Sequence, residues 1–292
     1  MRLDDFDPNA INVEDQRGSG GGFPMGRGGQ VGCGTLVVAL ILSAVLGVDP
    51  GQLIGGLQQG QPQEQVAPAQ AGGTDTSTSC RLDAASKESC DTLYSLNQTW
   101  SGIFGAANVK FAPPKLVFYA QSGSSGCGAA QSAMGPFYCP DDRGIYLDTA
   151  FYRQLDQELG AGGQFARDYV IAHEYGHHIQ NLLGDSEQIR SLQAQNPRRA
   201  NALSVRLELQ ADCYAGVWAA KNKDRLDPGD MESGLNAAHA IGDDVLMAGA
   251  GRRSSPEDFT HGSAADRMKW LRTGMESGNE DACDTFADLR RR

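Results

Sequence analysis

Two histidines and a glutamate, spaced His173-Glu174-x-x-His177, stand in the run Val170-Ile-Ala-His-Glu-Tyr-Gly-His-His-Ile-Gln180. On an α-helix, residues four apart lie one turn above each other, so both imidazoles leave the same face. At that separation two neutral rings can grip one Zn²⁺, with Glu174 beside them to take a proton from water. With 5 histidines in the chain, this spacing arises by chance about a few times in a thousand. A hydrolytic zinc site needs a third protein ligand and an open fourth position. A third histidine six residues further on, with a glycine between, is one solution, but those positions hold Leu183 and Gln180.

The better third ligand lies in Val205-Arg-Leu-Glu-Leu-Gln-Ala-Asp-Cys-Tyr-Ala215. Glu208 and Asp212 are four apart, so their carboxylates share a helix face. Glu208 can complete a His₂Glu set, while Asp212 reaches the free ring nitrogen of a liganding histidine and fixes its tautomer. Such a pair alone reads as an ordinary solvated face. Here Leu209, Ala211, Tyr214, Ala215, Val217 and Trp218 surround it, and carboxylates in apolar company need partners.

These side chains require two helices. Phe165, Tyr169, Ala172, Gly176, Ile179 and Leu183 recur at steps of four and three, a core-facing stripe with the histidines at its edge. Gly162-Gly163 mark the start, and Gly184 is placed to cap the end. Upstream, Ser86 to Gly102 reads as a helix through Leu93, Leu96 and Trp100, and Lys115-Leu-Val-Phe-Tyr-Ala120 as a strand. Phe137-Tyr-Cys-Pro140 and Gly144-Ile-Tyr-Leu-Asp148 outline a hairpin or adjacent strands. A strand beside the metal helix would suit a peptide pairing along its edge, or would simply be covered by a loop. Helical sequence follows Thr149, so strands precede helices and the class is α+β.

The chain of 292 residues carries a formal charge of −11, which argues against a nucleic-acid partner, whose footprint is basic. Residues 1–30, polar and glycine-rich, read as a disordered cytoplasmic segment. Residues 31–48 contain Leu36-Val-Val-Ala-Leu-Ile-Leu-Ser-Ala-Val-Leu46 and no charge, which meets the lower limit for a transmembrane helix. A cleaved signal peptide is the rival, but its apolar core is usually shorter and nearer the start. Arg17 and Arg27 precede the run and no basic residue follows before Arg81. The asymmetry points to a single-pass membrane anchor with the domain outside, periplasmic in a two-membrane cell. Residues 49–79 are rich in glutamine and read as a flexible linker, leaving 80–292 as the domain.

Six of the 7 cysteines follow the apolar run, which suggests three disulfides in an oxidising compartment. Fifteen pairings are possible; proximity favours Cys80–Cys90 and Cys127–Cys139, leaving Cys213–Cys283. No C-x-x-C spacing occurs, which argues against a thiolate metal site.

Taken together, His173-Glu174-Tyr-Gly-His177-His178, Glu208-Leu-Gln-Ala-Asp212-Cys213 and Thr260-His261-Gly262-Ser263 followed by Arg267 resemble the YpfJ-type neutral zinc metallopeptidases. Asn12-Val-Glu-Asp-Gln-Arg-Gly18 and Gly135-Pro-Phe-Tyr-Cys-Pro140 extend the resemblance over nearly the whole chain outside the linker. It implies a gluzincin-like, zincin-type fold, with one Zn²⁺ between the motif helix and a mostly helical C-terminal part. The expected ligands are His173, His177 and Glu208, with Glu174 as general base and a peptide or protein as substrate. An oxyanion donor is also needed. His261 and Arg267 are the candidates, since related zincins place such a residue on a later segment; Arg267 is also a candidate, with Asp212, to support the ligands from behind. His178 points away from the pair and is expected to be structural or exposed, and His239 an ordinary helix residue. The competing readings are a zinc-stabilised, membrane-tethered binding or regulatory module without turnover, and an amidase or esterase. Glu174 disfavours the module, because a purely structural zinc site has no use for a base beside its ligands.

Overall fold

Alternating apolar side chains give the middle of the sheet two buried faces. The computed structural model describes residues 1–18 and 75–289. Among them the strands are β1 (Asn12–Asp15), β2 (Lys115–Tyr119), β3 (Ser122–Ser125), β4 (Gly128–Gln131), β5 (Phe137–Cys139) and β6 (Gly144–Asp148). The helices are α1 (Thr76–Cys80), α2 (Ala84–Ala106), α3 (Ala150–Gln157), α4 (Gln164–Leu183), α5 (Asp185–Gln195), α6 (Ala200–Lys221), α7 (Asp230–Ala240), α8 (Asp243–Gly249) and α9 (Ala264–Ser277).

The four-stranded sheet runs β1-β2-β6-β5. β1, β2 and β6 are parallel, and β5 returns antiparallel on β6 as the hairpin pattern predicts. Leu116, Phe118, Ile145 and Leu147 face the main core, where Leu93, Leu96 and Trp100 of α2 and Phe165, Tyr169, Ala172 and Ile179 of α4 meet them. Val117, Tyr119 and Tyr146 face the other way, into a smaller cluster with Ala130 of the β3–β4 ribbon and Cys139. The period-2 pattern thus packs the sheet on both sides.

α4 is the helix around which the domain closes. It packs against α2, α6, α7 and strands β5 and β6, so Val170, Ile171 and Tyr175 outside the expected stripe are buried as well. Leu183, assigned to that stripe from its spacing, is instead 48% exposed. It is the last helical residue, and Gly184 at φ 85° ends the helix there in the left-handed conformation. α2 begins at Asp83, whose Oδ1 accepts from the Ser86 amide at 2.7 Å. α9 begins at Ser263, whose Oγ accepts from Asp266 N at 3.1 Å while donating to the Asp266 carboxylate at 2.7 Å. Three disulfides form, Cys80–Cys90, Cys127–Cys139 and Cys213–Cys283, the pairing favoured by proximity.

The N-terminal boundary requires correction. Residues 1–18 are not a disordered tail: β1 is an edge strand, and Met1, Phe6, Ile11 and Val13 are buried in the main core. Four such side chains contribute about 6–12 kcal/mol, at about 1.5–3 kcal/mol each. Arg17 lies 4.4 Å over the Phe118 ring and binds Asp15. The domain therefore comprises two stretches, and the end of the expected linker also belongs to it, since Thr76–Ser79 lie in α1 behind an Asp75 cap. Composition concealed this because the four apolar residues are widely spaced among polar ones, and the pairing that orders them is with residues about 100 positions away. The expected transmembrane run 31–48 lies outside the described residues; among those described, no helix is long and apolar enough to cross a membrane.

Candidate metal centre

The motif helix and its partner approach each other unusually closely. A Cβ on Gly176, inside the motif, would lie 2.8 Å from the Cα of Ala211 on α6; only glycine permits that approach. A second close crossing, of Gly216 on α6 with Gly274 on α9, would likewise be blocked by any side chain. These contacts set the depth at which Glu208 and Asp212 meet α4, and at which Arg267 of α9 meets Asp212.

At the crossing, His173 Nε2 lies 3.1 Å from Glu208 Oε2 and His177 Nε2 lies 3.5 Å from Glu208 Oε1. Among the described residues, His173, His177 and Glu208 form the one cluster able to hold a metal ion, each offering an atom within 4.8 Å of the others. The ring centroids are 4.8 Å apart, with the planes at 86°.

Each ring has its other nitrogen anchored. His173 Nδ1 is 2.7 Å from Asp212 Oδ1, and a carboxylate only accepts, so Nδ1 carries the proton and Nε2 turns its lone pair to the centre. His177 Nδ1 is 2.9 Å from Gln180 Oε1. The Gln180 amide is oriented by its own donation to Leu207 O at 2.6 Å and Gln210 Oε1 at 3.0 Å, so its oxygen accepts from His177. In these tautomers two imidazole lone pairs and a carboxylate point at one another. Three acceptors converging at this range require a cation, or protons in its place. The donor set of two nitrogens and one carboxylate suits Zn²⁺.

The charge balance leads to the same conclusion. Burial opposes charging of His173, but Asp212 and Glu208 outweigh it and hold the ring's pKa at about 10. Burial also opposes ionisation of Glu208, yet His177, His261 and His173 keep its carboxyl well below the usual range. Glu174, by contrast, is raised, chiefly by burial. Among the described residues, no hydrogen bond holds its carboxylate, which leaves the group available to a proton.

Behind His173, Asp212 is completely buried and takes four bonds. Besides His173, Tyr169 Oη donates at 2.6 Å, and Arg267 donates through Nε and Nη2, each at 2.9 Å. Arg267, itself 2% exposed, also donates to Ile241 O at 3.3 Å. Its guanidinium is thus committed to supporting Asp212 and does not reach for an oxyanion. His261 sits in the loop before α9, held by Asp243 of α8. One Asp243 oxygen accepts the backbone N–H groups of Thr260, His261 and Gly262 at 2.7, 2.7 and 3.0 Å, and the other lies 3.2 Å from His261 Nδ1.

His178 is fully buried. Its Nε2 donates to Ala112 O at 2.7 Å and its Nδ1 accepts from Tyr138 Oη at 3.0 Å, locking α4 to β5. His239 is an exposed residue of α7. Sequence reasoning missed Gln180, Tyr169 and Asp243. The first two lay within reach, three residues after His177 and four before His173 and so on the same helix face; Asp243 is distant in sequence and carries no local signal.

An H-E-x-x-H helix crossing a second helix that brings in a glutamate defines a candidate mononuclear centre of the zinc-peptidase class. The chain belongs to the family described as "putative neutral zinc metallopeptidase", which it matches over residues 5–286. It is 42% identical to the uncharacterized protein YpfJ of Escherichia coli (strain K12), over 94% of this chain and 95% of that one. It is 39% identical to the uncharacterized protein Rv2575 of Mycobacterium tuberculosis (strain ATCC 25618 / H37Rv), over 84% and 86% of the two chains. No solved structure matches it.

Proposed function

We propose that the protein is a zinc-dependent peptidase with His173, His177 and Glu208 as ligands and Glu174 as general base. The observation that carries this reading is a buried carboxylate, Glu174, with no hydrogen-bond partner among the described residues, next to three converging ligand groups of which both imidazoles are fixed on their far sides. Zn²⁺ bound there would supply Lewis acidity, polarising a carbonyl and bringing a water's pKa towards roughly 7. Glu174, with its raised pKa, accepts the attacking water's proton and returns it to the departing amine. Asp212, backed by Tyr169 and Arg267, holds His173 in its ligating tautomer, and Gln180 does the same for His177. His261, oriented by Asp243, is the donor to the developing oxyanion. The three disulfides support a site of action in an oxidising compartment.

The test is Glu174→Gln. It should bind zinc as the wild type does while hydrolysis of an unstructured protein such as casein falls at least about 100-fold, the low end for general-base catalysis. Equal zinc binding with no turnover in either protein would favour the binding-module reading.

A further inference from the structure

The integration of residues 1–18 into the domain constrains how the chain can meet a membrane. β1 pairs with β2 along its whole length, Asn12 with Lys115 through Asp15 with Phe118. Gln16 N continues the ladder to Phe118 O at 2.7 Å. Further out, Phe6 N donates to Asp91 at 3.0 Å, Lys87 binds Asp5 at 2.7 Å, and Arg225 binds Asp4 at 2.6 Å. The family match itself begins at residue 5, so this stretch belongs to the shared domain.

The points where the described chain leaves the domain and rejoins it are neighbours. Arg17 donates to Ser79 O at 3.0 Å and to Ser86 Oγ at 2.6 Å. A chain that leaves one folded body and returns to it crosses a bilayer an even number of times. Each helical crossing takes about 20 apolar residues. Between residues 18 and 75 the sequence offers one charge-free run of that order, 31–48, and the remainder is rich in glycine and glutamine. Two crossings have no sequence to form them, and one crossing would strip β1 from the sheet and place it on the opposite side.

We infer that Met1–Gly18 and the domain of residues 75–289 occupy the same compartment. The single-pass topology with a cytoplasmic N-terminus, expected from the apolar run and its flanking arginines, would put the two stretches on opposite sides and is the competing outcome. This inference is independent of the metal centre and of any activity.

Two cysteine substitutions in the full chain test it, each in a Cys33→Ser background. Ala10→Cys and Glu276→Cys are both at exposed positions, one in each stretch. Intact cells are treated with a membrane-impermeant maleimide, with lysed and denatured cells as the full-labelling reference. The expected result is matching accessibility: both positions label before lysis, or both only after it. Labelling of Glu276→Cys in intact cells with Ala10→Cys protected until lysis, or the reverse, would overturn the inference.

Discussion

Asp212→Asn is the most informative single change, because Asp212 links the stability of the domain to the readiness of the metal centre. The substitution keeps the shape but removes the charge that balances the buried Arg267 guanidinium, and its amide cannot accept from all of Tyr169, His173 and Arg267. Removing one member of a buried, hydrogen-bonded ion pair costs about 3–5 kcal/mol. At about 2–4 °C per kcal/mol for a domain of this size, Tm should fall by about 10 °C. Loss of the tautomer lock on His173 should weaken zinc binding by about 10–100-fold. The two effects are read separately, by calorimetry of the zinc-free protein and by competition against a chelating fluorophore. Acidification supplies an internal check. Asp212 has a pKa of about 2 against an ordinary 3.8, held down by Arg267 and His173 against the effect of burial. A depressed carboxylate stabilises the fold above its unfolded pKa, and that contribution is lost as pH falls through the folded value. The gap between wild type and variant should therefore narrow by roughly 2 kcal/mol between about pH 4 and pH 2. Unchanged Tm and unchanged zinc affinity at neutral pH would refute the idea that Asp212 acts as a charged support for His173.

Other outcomes follow from the same geometry. Gly176→Ala should force α4 and α6 apart at Ala211, costing about 1–3 kcal/mol and lowering zinc occupancy; metal content equal to wild type would show the crossing to be compliant. Gln180→Leu should release His177 Nδ1 and weaken zinc binding about tenfold with little change in the zinc-free fold near His173, as read by titration and by histidine NMR. His178 is depressed to about 4, mainly by burial, so its contribution is complete above about pH 6.5 and lost as pH falls towards about 4. The zinc-free protein should lose roughly 3 kcal/mol over that window, and His178→Gln should flatten the profile.

Much of the site was legible because its signals are local. His173, Glu174 and His177 lie within five residues of one helix, and Glu208 and Asp212 share another, so the helical period alone set each pair on one face. The apolar neighbours of Glu208 and Asp212 correctly suggested a helix that needs a charged partner. β2, β5 and β6 showed themselves through β-branched and aromatic runs between turn residues. Non-local features did not. β1 is four residues long, polar at all but Val13, and ordered by pairing in parallel with a strand far along the chain. The β3–β4 ribbon is built from serine, glycine and alanine with one glutamine, which carry no strand signature, and is tied down by Cys127–Cys139. Asp243 owes its role to a loop that folds back on it from seventeen residues away, and Arg267 owes its commitment to a glycine-mediated helix crossing that its own neighbours do not announce.

Two imidazoles and one carboxylate from crossing helices should hold a single zinc ion. Anomalous diffraction at the zinc edge, from crystals of the zinc-loaded protein, tests it most directly. The expected result is one peak per chain, bonded to His173 Nε2, His177 Nε2 and the Glu208 carboxylate, and no peak there in Glu208→Ala. A zinc peak elsewhere, or one that does not involve Glu208, would contradict it.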